Sequence, residues 1–207
     1  MATRIKICGI TRRLDALVAA QLGAHAVGLM FYEYSPRFVD LDTAREVIED
    51  LPPFVSRVGV FVNPNEQNVR DILRALHLDL LQFHGEESPQ FCAEFDMPYI
   101  KAIRVKKGLD LLQYASRYRD ANGLLLDAHI DKAYGGTGEV FDWGLVPRNL
   151  SLPVILSGGL NAENVARAIR QVRPWAVDVS SGVESAKGIK DAAKIAAFIK
   201  EARDADV

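Results

Sequence analysis

RIKICGITRR, residues 4–13, is the stretch that decides between the two fold classes that the rest of the chain allows. It begins as a short apolar run, typical of a β-strand, and its glycine is followed by a predicted helix at residues 14–22. An open doubly wound sheet that binds a dinucleotide would need two further glycines after the first strand, and the segment after Gly9 lacks both. The stretch therefore favours a closed barrel over an open sheet.

The remainder of the chain repeats the same alternation of short apolar runs and amphipathic segments. The predicted strands are residues 4–8, 26–31, 57–62, 80–84, 99–104, 123–127, 153–157 and 176–180. The predicted helices are residues 14–22, 43–50, 66–75, 89–94, 109–118, 141–146, 162–172 and 189–205. Strands that each precede a helix indicate parallel pairing through right-handed crossovers. We predict one α/β domain over residues 1–207, a closed (βα)8 TIM barrel of eight parallel strands.

Composition narrows the classes of partner. The chain has 207 residues, of which 49% are hydrophobic, and its 25 Lys and Arg nearly balance its 27 Asp and Glu. No basic stripe is present, so we expect no nucleic acid partner. No apolar segment has the length of a membrane span or of a signal peptide, so we expect no membrane association and a cytoplasmic location. Two cysteines do not make a disulfide framework in a chain of this length, so we expect reduced thiols. No cluster of His and Cys has zinc spacing, so we expect no metal.

A barrel of this class carries its site at the carboxyl ends of its strands. Cys8 and Asp127 end the first and sixth predicted strands and should face each other across this mouth. A thiolate can remove a carbon-bound proton if the thiol pKa falls toward neutrality, and a carboxylic acid can protonate a leaving oxygen. Lys6 shares the inward face with Cys8 and should favour the thiolate. A cysteine in an apolar run is otherwise a core residue, and Cys92 keeps that interpretation.

Three other polar residues near the mouth each have two interpretations. Asp178 points inward by the strand alternation, either as the partner of Lys6 or as the acid itself. His84 either contacts the substrate or is a structural histidine with internal partners. Arg37, in the loop after the second strand, either binds a substrate carboxylate with its planar fork or is simply solvated.

Glycine turns follow the last two predicted strands, SGGLN at residues 157–161 and SSGVE at residues 180–184. Exposed N–H groups of such turns bind anions, and a phosphate site after strands seven and eight recurs in these barrels. Glycine also makes tight turns without any ligand. Two such turns side by side favour a phosphate site. The candidate residues are Gly158, Gly159, Ser181 and Gly182. The glycine-rich segment 134–143 is predicted to cover the ligand.

Seven segments, in chain order, resemble the phosphoribosylanthranilate isomerase family. They are KICGIT (6–11), SPR (35–37), LQFHGEE (81–87), LLLD (124–127), YGGTGEVFDW (134–143), LSGGLNAENV (156–165) and VDVSSGVE (177–184). The resemblance implies a (βα)8 enzyme of tryptophan biosynthesis without a metal or organic cofactor. Its reaction is the Amadori rearrangement of N-(5-phosphoribosyl)anthranilate to 1-(2-carboxyphenylamino)-1-deoxyribulose 5-phosphate.

The resemblance also implies roles for individual residues. Cys8 corresponds to the general base, Asp127 to the general acid, and Arg37 to the arginine that binds the anthranilate carboxylate. The substrate phosphate would bind the two glycine turns, with Gly136 and Gly138 close by. The implied partner is a small phosphorylated molecule, and the sequence leaves monomer and homodimer open.

Three other functions are compatible with a phosphate-binding barrel. The related sugar isomerase of histidine biosynthesis runs the same rearrangement with an aspartate at the position of Cys8. A ribulose-phosphate epimerase would need metal-binding His and Asp residues at several strand ends, and too few are available here. A non-catalytic phosphate-binding protein would require neither Cys8 nor Asp127. The presence of both residues, with the SPR segment, favours the anthranilate substrate.

Overall fold

A computed structural model describes residues 2–128 and 141–205 of the chain. The eight barrel strands are β1 (Arg4–Cys8), β2 (Ala26–Met30), β3 (Ser56–Phe61), β4 (Leu80–Phe83), β5 (Tyr99–Val105), β6 (Gly123–Ala128), β7 (Val154–Leu156) and β8 (Ala176–Val179). Neighbouring strands pair in parallel, and β1 pairs with both β2 and β8, which closes the barrel. The predicted fold class is confirmed.

The helices lie on the outside of this barrel. They are α1 (Arg13–Leu22), α2 (Leu41–Ile48), α3 (Glu66–Ala75), α4 (Pro89–Ala93), α5 (Leu111–Arg117), α6 (Val165–Val172) and α7 (Ala192–Asp204). Most begin at a capping residue whose side chain accepts a hydrogen bond from the first turn, as Asp110 does from the Gln113 N–H. This cap explains why α5 begins at Leu111, two residues later than predicted.

Strand alternation separates two groups of buried side chains. Outward-facing residues such as Ile5 and Ile7 pack against the helices in the main core. A smaller apolar cluster fills the barrel interior and consists of Ile100, Ala102, Leu125, Ile155 and Ala176. Two residues further along three of these strands, the inward positions become polar: Asp127, Ser157 and Asp178. The interior therefore changes from apolar to polar toward the carboxyl ends of the strands.

Two of the predicted helices were wrong in part. Residues 141–146 contain only a short 3-10 helix, Trp143–Leu145. The Asp142 carboxylate caps its start at the Gly144 N–H, and Val146, which precedes a proline, is extended and ends it. The segment 189–205 begins as a strand and not as a helix. Glu184–Ala186 (β9) and Ile189–Lys190 (β10) form an antiparallel hairpin, and α7 begins only after Asp191. The Lys190 N–H donates to the Asp15 carboxylate, which holds this hairpin against α1.

In the ranges 2–128 and 141–205, no helix has both the length and the apolar character needed to cross a membrane. The same ranges contain no group of three or more His, Cys, Asp or Glu side chains arranged to hold a metal ion.

Candidate active site

Cys8 and Lys6 lie side by side in the barrel interior, as the strand alternation predicts. Both are buried, and both side chains pass over Gly28 of the neighbouring strand. A methyl group added at Gly28 would lie 2.7 Å from the Cys8 Sγ and 3.1 Å from the Lys6 Nζ. Glycine at this position therefore provides the space in which a thiol and an ammonium group approach each other.

Lys6 has a carboxylate partner in Asp178, directly across the β1–β8 pairing. The Lys6 Nζ donates to the Asp178 Oδ1 at 2.7 Å, and the Ser157 Oγ donates to the Asp178 Oδ2 at 3.0 Å. The pKa of Lys6 is raised above its ordinary value: burial lowers it, and the charge and hydrogen bond of Asp178 act against burial. Lys6 is therefore a fixed positive charge beside the sulfur. Of the two roles predicted for Asp178, the structure shows the ion pair with Lys6.

The Cys8 thiol differs from the expectation that its pKa falls toward neutrality. Burial raises the pKa of Cys8 above its ordinary value, and Asp178 adds to this effect. Lys6 and Lys190 both act in the opposite direction, as expected for Lys6, but they do not reverse the shift. Cys8 is thus held as a thiol by burial, and the nearby cations limit the cost of ionising it.

Asp127 ends β6 with its carboxylate held on both oxygens. The Oδ1 accepts the N–H of Ala128 at 2.8 Å, and the Oδ2 lies 3.1 Å from the Nε2 of His84. The Nε2 of Gln82 lies 2.8 Å from the other ring nitrogen of His84. If the Gln82 amide donates to that nitrogen, the His84 Nε2 carries the proton and donates to Asp127. His84 therefore has two internal partners, one of which is the candidate acid.

Arg37 lies at the mouth but is not solvated, so that alternative is wrong. Its side chain is buried, and its Nε and Nη2 donate to the two carboxylate oxygens of Glu184 at 2.7 and 2.8 Å. Sequence reasoning missed Glu184, although it ends the glycine turn after β8. The two residues are 147 positions apart, and only the closed barrel brings them together.

The two glycine turns meet each other above the barrel. Gly158 and Gly159 both have a positive φ, +83° and +65°. A methyl group at Gly182 would collide with the carbonyl oxygen of Leu160. Neither turn leads directly into an α-helix, although the sequence predicts a helix start after the first turn. After the first turn, α6 begins only at Val165, and after β8 the chain forms a 3-10 helix, Ser181–Val183. Gly136 and Gly138 lie outside the described residues.

Gly158, in the first glycine turn, lies against the candidate acid. A methyl group there would lie 2.6 Å from the Ala128 nitrogen and 2.8 Å from the Asp127 Oδ1. We therefore expect Gly158→Ala to destabilise the protein by about 2–4 kcal/mol, from the left-handed backbone plus the overlap. Urea unfolding measures this change. Gly108→Ala is the matched control, because Gly108 has a φ of +86° but no atom within 4 Å of the added methyl group. Equal losses in the two variants would contradict the proposed contact.

Comparison with known proteins adds independent information. Residues 5–201 match the family model described as N-(5'phosphoribosyl)anthranilate (PRA) isomerase. Among relatives, the N-(5'-phosphoribosyl)anthranilate isomerase of Nitrosospira multiformis is 60% identical over 97% of this chain and 96% of its own length. The protein of that name from Pseudomonas putida is 57% identical over 98% of both chains.

Solved structures agree with these relatives. Phosphoribosyl anthranilate isomerase from Thermotoga maritima superposes with a TM-score of 0.90 at 43% identity, covering 98% of this chain and 99% of that one. A second structure of such an isomerase, in complex with reduced 1-(o-carboxyphenylamino)-1-deoxyribulose 5-phosphate, has a TM-score of 0.87 at 42% identity, with coverages of 98% and 99%.

Proposed function

The chain belongs to the N-(5'-phosphoribosyl)anthranilate isomerase family and isomerises that compound in tryptophan biosynthesis; we propose that Cys8 is its general base and Asp127 its general acid. The observation that carries these roles is the placement of both groups at one mouth, with Asp127 against the Gly158 turn. A sugar phosphate held by this turn would place its sugar beside the carboxyl group.

The first step is the opening of the ribose ring. Asp127 gives a proton to the ring oxygen, the bond from that oxygen to C1 breaks, and the anthranilate nitrogen forms a Schiff base with C1. His84 hydrogen-bonds to the Asp127 carboxyl group throughout. It orients that group and stabilises the carboxylate that remains after the proton has left.

The second step is the removal of the proton on C2. Cys8 first gives its thiol proton to water, a step that the charges of Lys6 and Lys190 favour. The thiolate then takes the C2 proton, and the electron pair of the broken C–H bond moves to form an enolamine. The enolamine then tautomerises to the ketone. Because the rearrangement only moves protons and electron pairs within the substrate, acid and base side chains can supply all of its chemistry.

The two ends of the substrate fit the two ends of the mouth. We assign the phosphate to the backbone of the two glycine turns, with Gly158, Gly159, Ser181 and Gly182 as its contacts. We assign the anthranilate carboxylate to Arg37, whose Nη1 has no hydrogen-bond partner among the residues that the structure describes. Cys8 and Asp127 then act on the sugar between these two anionic groups.

Lys6 is the residue that we expect to bring Cys8 closer to ionisation. Replacing Lys6 by Met removes the nearest cation, so the thiol pKa should rise further and kcat should fall at least about 10-fold. The measurement is the rate of Cys8 alkylation by iodoacetamide against pH, in a Cys92→Ser background.

Asp178→Asn is the control for this electrostatic account, because the Asp178 charge acts on the thiol in the opposite direction. This variant should lower the thiol pKa, and alkylation should become faster at neutral pH. A thiol pKa that stays unchanged in Lys6→Met, or that moves in the same direction in both variants, would contradict the assignment.

The activity itself is tested by turnover. The purified protein should convert phosphoribosylanthranilate, formed in place, to a product that co-elutes with authentic carboxyphenylamino-deoxyribulose phosphate. A sample that leaves the substrate unchanged would overturn the function.

A further inference from the structure

The β9–β10 hairpin places two buried ions next to the site that the acid and base form. Glu184 and Lys190 are register partners in this hairpin, and the Lys190 Nζ lies 2.8 Å from the Glu184 Oε1. Neither residue transfers a proton in the proposed acid and base chemistry, although the charge of Lys190 acts to lower the pKa of the Cys8 thiol. Two buried charged groups that transfer no proton require a further explanation.

Glu184 fixes the orientation of Arg37. Its two carboxylate oxygens accept from the Arg37 Nε and Nη2 in a bidentate arrangement, with side-chain exposures of only 10% for Arg37 and 6% for Glu184. The stem of Arg37 lies over Gly9, where a methyl group would collide with its Cδ. The Arg37 side chain is thereby held beside Gly9, next to Cys8. Its Nε and Nη2 edge is bound to Glu184, and its Nη1 remains available for a ligand.

Lys190 in turn fixes Glu184. Its side chain has an exposure of 0%, and its Nζ donates to the Ser180 carbonyl oxygen at 3.1 Å and the Ser180 Oγ at 3.3 Å, as well as to Glu184. These contacts tie the carboxylate to the end of β8. Burial raises the pKa of Glu184, but its bonds to Arg37 and Lys190 outweigh burial and lower it, so Glu184 is ionised at neutral pH.

The ion-paired side chains beside Cys8 carry unequal numbers of positive and negative charges. Three buried cations, Lys6, Arg37 and Lys190, pair with two buried anions, Asp178 and Glu184. These five side chains together carry one positive charge in excess while Cys8 is a thiol. A substrate carboxylate on Arg37 or a thiolate at Cys8 would neutralise this excess positive charge. The excess therefore favours the binding of an anionic ligand at this side of the mouth.

We propose that Glu184 and Lys190 are positioning residues of the active site, which hold the Arg37 guanidinium so that its free edge receives the carboxylate of the substrate. This inference rests on the proposed function, since it assigns the carboxylate end of that substrate. It makes the hairpin after β8 a determinant of substrate specificity. A purely structural ion pair would hold the hairpin in place without affecting substrate binding selectively.

The test is the separation of KM from kcat in two variants. Glu184→Gln keeps the shape but loses the charge, and Glu184→Asp keeps the charge but withdraws it from the Arg37 fork. We expect each to raise KM for phosphoribosylanthranilate by about 10- to 100-fold with kcat within about threefold of wild type. Inhibition by inorganic phosphate should be unchanged, because the assigned phosphate contacts Gly158, Gly159, Ser181 and Gly182 are retained. Glu33→Gln, an exposed glutamate on the Arg37 loop, is the control and should behave as wild type.

Each outcome decides the inference. A wild-type KM in both variants would overturn it, and so would equal weakening of substrate and inorganic phosphate binding. If the variants lose both their circular dichroism signal and all activity, the Glu184–Lys190 pair serves to maintain the fold, and this result also overturns the positioning role. Failure of the proposed function is distinguishable, because the wild-type protein would then show no turnover of phosphoribosylanthranilate at all.

Discussion

Asp127→Asn is expected to lower kcat by about 10²- to 10⁴-fold while KM stays within about threefold of wild type. The amide has nearly the same shape as the carboxyl group, and its single oxygen can still accept from either the His84 Nε2 or the Ala128 N–H, which bind different oxygens of Asp127. It cannot give a carboxylic proton to the ribose ring oxygen. Steady-state kinetics with phosphoribosylanthranilate separate the two parameters.

Asp42→Asn is a suitable control for this change, because Asp42 is an exposed carboxylate at the start of α2 whose partner, Arg45, is also exposed. It should leave both kinetic parameters at the wild-type level. If Asp127→Asn kept kcat within about tenfold of wild type, the loss would be too small for a general acid, and another group would have to donate the proton.

Cys8→Ser is expected to lower kcat by a similar factor, about 10²- to 10⁴-fold, because a serine hydroxyl does not ionise near neutral pH. The substitution keeps a small side chain over Gly28, so the fold and the Lys6–Asp178 pair should be retained. The thermal midpoint should therefore change far less than the turnover. Measuring both on one preparation separates a lost base from a lost fold.

The second cysteine provides the matched control. Cys92 lies in α4 within the main core, and burial raises its pKa to about 12. Cys92→Ser should lose stability, because it places a hydroxyl in an apolar site, yet it should retain the wild-type kcat. A Cys8→Ser variant that is as active as Cys92→Ser would refute the assignment of the base.

Local sequence pattern was sufficient for the barrel and for the inward face of each strand. Alternation along four or more residues distinguishes Lys6 from Ile5 and Ile7, and the same rule turns Asp178 inward. The register of β1 and β8 then places Asp178 opposite Lys6. The position of Cys8 and Asp127 at one mouth follows from the parallel order of the strands. None of these steps needs information on contacts between distant side chains.

The hairpin and the thiol pKa could not be predicted in the same way. A strand of two residues, Ile189–Lys190, is too short to show any periodicity, so the sequence pattern does not distinguish it from the helix that follows. The pairing of Arg37 with Glu184 depends on loop conformations at the mouth. The pKa of Cys8 depends on how completely the thiol is buried, which is a property of the packed barrel and not of the KIC motif.

The central claim is that Cys8 and Asp127 move the protons of this isomerisation. The most direct measurement is the loss of phosphoribosylanthranilate fluorescence with wild type, Cys8→Ser and Asp127→Asn side by side, each folded by circular dichroism. The account predicts rapid loss with the wild type and a rate at least about 10²-fold lower with either variant. Wild-type turnover in either variant, or no turnover in the wild type, would contradict it.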